Sequence, residues 1–85
     1  MQAIEFIKSQ FGRGKHSTIE AAKRIDKHQT FISDFISKNR IPRVDSFSLI
    51  LRSIGFDLIA RNRETGEETI IDPPPTIDEL VKKLE

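Results

Sequence analysis

Apolar residues recur first at helical spacing and later in short alternation. Ile4, Ile7 and Phe11 share one face of QAIEFIKSQF, with Phe6 beside it, so residues 2–11 are expected to form an amphipathic helix. Gly12-Arg13-Gly14-Lys15-His16 breaks that pattern. Ser17-Thr18-Ile19-Glu20 then fits a capping box, in which Ser17 accepts the amide of Glu20 and Glu20 reaches back. A second helix is expected from there. Its stripe is Ile19, Ala22 and Ile25, and Ala21 and Ala22 permit a neighbouring helix to come close. No Gly or Pro forbids one continuous helix from 18 to 38. The next apolar residues, however, are Phe31, Ile32, Phe35 and Ile36, which leaves a full turn after Ile25 without a core contact. A bend near Asp26-Lys27 lets both stripes face one core, so two helices are expected.

Ser37-Lys38-Asn39-Arg40-Ile41-Pro42-Arg43 reads as a basic loop, because Pro42 biases Ile41 away from helical angles. The next helix is expected over 44–54. Asp45 lies in its first turn, where negative charge is favoured, and Gly55 stops it in the left-handed region. Residues 56–62 and 67–71 are short and partly alternating around Arg63-Glu64-Thr65-Gly66, which predicts a β-hairpin. Pro73-Pro74-Pro75 makes a stiff spacer. Thr76-Ile77-Asp78-Glu79 is a second capping box, followed by Leu80, Val81 and Leu84, so a short helix is expected over 76–84. No internal repeat is visible. The organisation read from the pattern is a helical unit over 1–55, a hairpin over 56–72, and a Pro spacer with an acidic amphipathic tail over 73–85.

Hydrophobic residues make up 36% of these 85 positions and Phe supplies all six aromatics, a modest core that dimerisation would supplement. Cysteine is absent, which removes disulfides, thiolate nucleophiles and thiolate metal sites. No apolar run approaches the ~20 residues a bilayer requires. Met1 to Phe6 carries an acid and no basic lead-in, unlike a signal peptide. A cytoplasmic location without a membrane role is the resulting expectation. The net charge of +1 conceals a division: residues 1–63 hold 12 Lys/Arg against 6 Asp/Glu, whereas residues 64–85 hold 2 against 7. A basic body suits a polyanion, and an acidic tail suits a basic partner.

Enzyme chemistry finds no foothold. Gly12-Arg13-Gly14-Lys15 lacks the earlier glycine of a phosphate-binding loop, and His16 stands where Ser or Thr should follow the lysine. No nucleophile–base arrangement is visible. His28 has no second ligand at metal-binding spacing. Neither catalysis, a cofactor nor a metal is expected.

Residues 17–56 resemble the lambda-repressor-like, XRE-type helix-turn-helix family. Ala22 falls at its small residue in the second helix and Ile25 at the apolar position before the turn. Ile32-Ser33 falls at the Ile-Ser pair of its recognition helix, and Pro42 at the Pro before the fourth helix. Leu49, Ile50, Ile54 and Gly55 follow that helix's closing pattern. The match covers about 40 of 85 residues without a gap. Asp26 stands at the usual turn glycine, Lys27 at an apolar position, His28 at the usual Ser cap and Thr18 at the usual Gln, and the hairpin replaces the fifth helix. The implied fold is mainly α: a four-helix lambda-repressor-like domain followed by a β-hairpin and a short C-terminal helix.

The resemblance also implies chemistry. A helix over about 28–38 would enter the major groove with Ile32, Phe35 and Ile36 buried. Gln29, Thr30, Ser33 and Ser37 would read base edges, Gln29 being able to pair bidentately with adenine. Phe31 either touches a thymine methyl or joins the core. Asp34 either accepts from cytosine N4 or pairs with Lys38 four residues on; the pair is the expectation. Phosphates would fall to Thr18 with the amides at the start of its helix, His28, Lys38, Asn39, Arg40 and Arg43, and to Arg13 and Lys15. Useful affinity needs two half-sites, so double-stranded DNA with a palindromic operator and a homodimer are implied, Leu58, Ile59, Ile70 and Ile71 supplying the interface. The function implied is a sequence-specific transcriptional regulator, a repressor by expectation. Short members with a strand after the fourth helix resemble the antitoxin branch, in which one chain represses its operon and neutralises a toxin. In that alternative the C-terminal part binds the toxin; otherwise the tail helix packs on its own dimer.

Overall fold

A computed structural model describes residues 1–12 and 15–75. Among the described residues four helices precede one hairpin: α1 (Ala3–Phe11), α2 (Thr18–Arg24), α3 (Phe31–Ser37), α4 (Val44–Ser53), β1 (Leu58–Arg61) and β2 (Glu68–Ile71). The chain is mainly α with a small two-stranded antiparallel sheet. The helix expected over 76–84 lies outside the described residues.

Residues 18–38 do not form one continuous helix: the chain breaks at Asp26, whose φ is 56°. The Asp26 amide donates to the Lys23 carbonyl at 3.1 Å, and the Lys27 amide reaches back to Ala22 at 2.9 Å. This pair of bonds is the Schellman arrangement, which satisfies the last carbonyls of a helix while turning the chain out of it. The same device ends the next two helices. Asn39, at φ 51°, donates to Ile36 while Arg40 donates to Phe35; Gly55, at φ 86°, donates to Arg52 while Phe56 donates to Leu51. Asp and Asn tolerate the left-handed region better than other non-glycine residues, so they serve here the geometry that glycine serves after α4.

Each of the four helices contributes to one core. Ile7 of α1, Ala21 and Ala22 of α2, Ile32 of α3, and Ile50 of α4 with Ile54 just after it, form its buried centre. Ile4, Phe11, Phe31, Phe35, Ile36 and Phe47 pack around them, partly buried. Helix α2 lies against α3 and α4, and α1 against α3. The α2 stripe differs from the one expected: Ile19 is 46% exposed, and Ala21 is buried instead. Ser17 accepts the Glu20 amide at 3.3 Å as the capping box requires. That start sets the helical phase, which turns Ile19 outward and both alanines inward. Glu20 does not complete the box; its carboxylate lies 3.9 Å from Arg24.

The hairpin is seated by three contacts from the helical part. Phe56 meets Phe6 edge-on at 5.3 Å. Arg52 of α4 lies 3.5 Å from Asp57 and 3.4 Å from Asp72, at the two feet of the hairpin. At its tip, the Asn62 side chain accepts the amides of Glu64 and Thr65, and Gly66 takes φ 79°. Among the described residues no helix is long and apolar enough to cross a membrane.

Candidate nucleic-acid interface

The bend at Asp26 sends the chain into a turn before α3 begins. Lys27, His28, Gln29 and Thr30 are all exposed there. Helix α3 therefore starts at Phe31, three residues later than expected, and Gln29 and Thr30 precede it. The cause is local. The His28 carbonyl accepts the Phe31 amide at 2.9 Å, and the His28 ring Nδ1 accepts the Thr30 amide at 3.3 Å. That nitrogen also lies 3.0 Å from Thr30 Oγ1. A backbone amide can only donate, so Nδ1 is the acceptor and the ring proton belongs on Nε2. His28 thus shapes the turn with one nitrogen and keeps a donor on the other.

The remaining base-reading candidates differ in availability. Gln29 is exposed, and Ser37 is exposed with its hydroxyl 3.5 Å from the Asp34 carbonyl. Ser33 is half-buried and donates to the Thr30 carbonyl at 3.1 Å, leaving its oxygen able to accept. Phe31 is half-buried: it packs on the core, meets Phe35 edge-on at 5.3 Å and carries Lys27 Nζ over its ring at 5.5 Å. The expected Asp34–Lys38 pair is a correction. The ion pairs among the described residues are those of Arg24 and Arg52. Lys38 is exposed, and a solvated pair of this kind gains only about 0.3–0.5 kcal/mol, too little to fix a lysine.

The cationic candidates fall into two groups. Lys38, Arg40 and Arg43 are exposed beside the end of α3, and Arg40 lies over the Phe35 ring at 5.6 Å. Asn39 sits between them, but its Oδ1 accepts Lys8 Nζ at 2.8 Å, so its acceptor is committed to α1. Lys15 is exposed and shares a surface depression with Lys8, Ser9 and Gly12. Lys8 thereby touches both groups, a link that no spacing in the sequence announces. Thr18 is half-buried at the start of α2. Arg13 lies outside the described residues.

In the hairpin, Ile59 pairs directly with Ile70, and Leu58 with Ile71. Opposed residues share a face and successive pairs alternate, so the four expected interface residues divide between two faces. Ile59 and Ile70 are 47% and 52% exposed, whereas Leu58 and Ile71 are half-buried. Arg61 opposite Glu68 continues the Ile59–Ile70 face. No family model matches the chain, and neither does a curated protein or a solved structure.

Proposed function

We propose that this chain is a sequence-specific DNA-binding regulator, a repressor working in the cytoplasm as a homodimer on a palindromic double-stranded site. It acts by binding rather than catalysis. In this reading α2 and α3 form a helix-turn-helix, and α3 with the turn before it enters the major groove. The observation that carries the reading is the break at Asp26, with exposed Gln29 and Thr30 ahead of α3 and exposed Lys38, Arg40 and Arg43 beyond it. Polar groups that can read base edges thus lie at one end of α3, and cations that can hold phosphates lie at the other. The face of the hairpin bearing Ile59 and Ile70 is the dimer contact, and its half-exposed isoleucines support that assignment.

Phosphate contacts release counterions, so affinity for random-sequence duplex DNA should fall steeply with salt. With roughly three phosphates neutralised per protomer, a dimer gives a slope of log K against log salt near −5. Arg43→Ala should reduce that slope by about 2 in the dimer, one contact per protomer. Anisotropy titrations at several salt concentrations measure both. A slope near zero contradicts the reading.

The division of charge favours a second role for the same chain. Its acidic C-terminal part, with 7 acids against 2 bases over 64–85, suits a basic partner, as in an antitoxin that also represses its own operon. A neighbouring reading frame for a basic toxin separates this role from simple repression.

A further inference from the structure

Among the described residues Asp34 does not pair with Lys38, and its surroundings suggest another partner. Asp34 lies two residues after Ile32 and two before Ile36, so at about 100° per residue it points away from the direction those two share. Ile32 is fully buried and Ile36 partly so, which sets Asp34 on the outward side of α3. There it lines a groove of about 380 Å³ with Phe31, Phe35, Arg40, Ile41 and Arg43. Two guanidinium groups share this groove, yet among the described residues neither pairs with the carboxylate. Arg40 is over the Phe35 ring instead, and the Ser37 hydroxyl goes to Asp34's backbone carbonyl. An unpaired carboxylate next to the proposed phosphate contacts weakens indiscriminate binding by like-charge repulsion. It is worth having only where a specific donor meets it.

The groove combines an acceptor with an apolar wall. Phe31 and Asp34 are three residues apart, neighbours on one side of the helix. In the major groove cytosine offers an N4 amino donor, and carbon 5 of the same ring lies next to it. A methyl group at carbon 5 would meet the apolar wall while the amino group meets the carboxylate. We propose that Asp34 and Phe31 together read one cytosine of the bound site, and that 5-methylation of that cytosine strengthens binding. Asp34 accepts from N4, Phe31 with Ile41 covers the methyl, and Arg40 and Arg43 hold the adjoining backbone. Thymine fits the apolar wall but presents an O4 acceptor to the carboxylate, so this site rejects it. The proposal rests on the DNA-reading function and adds base identity and methylation dependence at one position.

The test uses the full chain and duplexes selected by it from a random pool, then remade with single cytosines unmodified or 5-methylated. The wild type should require a C·G pair at one position of each half-site. Changing that pair should weaken binding about tenfold. Methylating that cytosine should tighten binding roughly threefold, the scale of burying one methyl group. Asp34→Asn should move the preference at that position alone toward adenine, which Asn pairs bidentately. Phe31→Leu, which keeps an apolar side chain against the core but removes the ring, should keep the cytosine preference and reduce the methyl gain. An enriched site without a fixed cytosine, an Asp34→Asn preference identical to the wild type, or methylation without effect overturns the proposal while leaving DNA reading intact. Failure to enrich any site overturns both.

Discussion

Ile50→Ala is expected to destabilise the fold by about 2–5 kcal/mol, the cost of removing a large aliphatic side chain from a closed core. Ile50 is fully buried on α4, in the cluster that joins Ile7, Ala21, Ala22 and Ile32. Two of those neighbours are alanines, already at minimal size, so α2 has little side-chain volume with which to fill the void. At the usual 0.05–0.15 kcal/mol per residue, a chain this long has a total stability of roughly 4–13 kcal/mol, and the loss is a large fraction of it. Ile19→Ala is the control. Ile19 stands nearly half exposed on α2, and its truncation should cost about 1 kcal/mol or less. Urea melts at one fixed protein concentration measure both, as a shift in midpoint with unchanged slope. Equal costs at the two positions would mean that α2 is rotated and that Ile19 belongs to the core after all.

In the proposed dimer, replacing Ile59 and Ile70 together by threonine should give a monomer and weaken binding to a palindromic site by about 10²–10⁴-fold. That is the range gained when a second contact becomes intramolecular. Threonine keeps the β-branch that suits a strand, so the hairpin persists while the apolar pair disappears. The change is confined to one face: Leu58 and Ile71, paired on the other, are untouched. Sedimentation equilibrium reads the oligomeric state, and titration of the palindrome and of a single half-site reads the affinities. Half-site affinity should be unchanged, because the substitutions are on β1 and β2 and leave the residues of α3 intact. A variant that stays dimeric with full palindrome affinity would place the contact elsewhere.

Much of the architecture was legible in the residue pattern, for physical reasons that differ by element. The break between α2 and α3 showed as a missing apolar contact between Ile25 and Phe31, since a helix without a core contact for a full turn gains little from continuing. The hairpin showed through short, partly alternating runs on either side of Arg63-Glu64-Thr65-Gly66, and its register sets Ile59 opposite Ile70 and Leu58 opposite Ile71. What the pattern did not resolve was rotation and local polar geometry. A stripe containing Ile19, Ala22 and Ile25 and one containing Ala21, Ala22 and Ile25 differ by a fraction of a turn. The close approach that Ala21 and Ala22 permit is present, and burying both alanines leaves Ile19 outside the stripe in which it was expected. The start of α3 depended on a bond from a histidine ring to an amide two residues on, which no periodicity encodes. Asp34 and Lys38 had the spacing of an ion pair, but spacing permits a pair without making it worth the lysine's lost freedom. Lys8 entered the cationic surface through its bond to Asn39, across 31 residues of chain, and through the depression it shares with Lys15.

The central claim is that the turn and α3 read bases. Selection of bound duplexes from a random pool, run in parallel with the wild-type chain and with Gln29→Ala, tests it most directly. The wild type should enrich a two-fold symmetric site, and Gln29→Ala should lose preference at one symmetric pair of positions while keeping the rest. A wild-type pool that stays random, or a variant that enriches the same site with the same affinity, would contradict it.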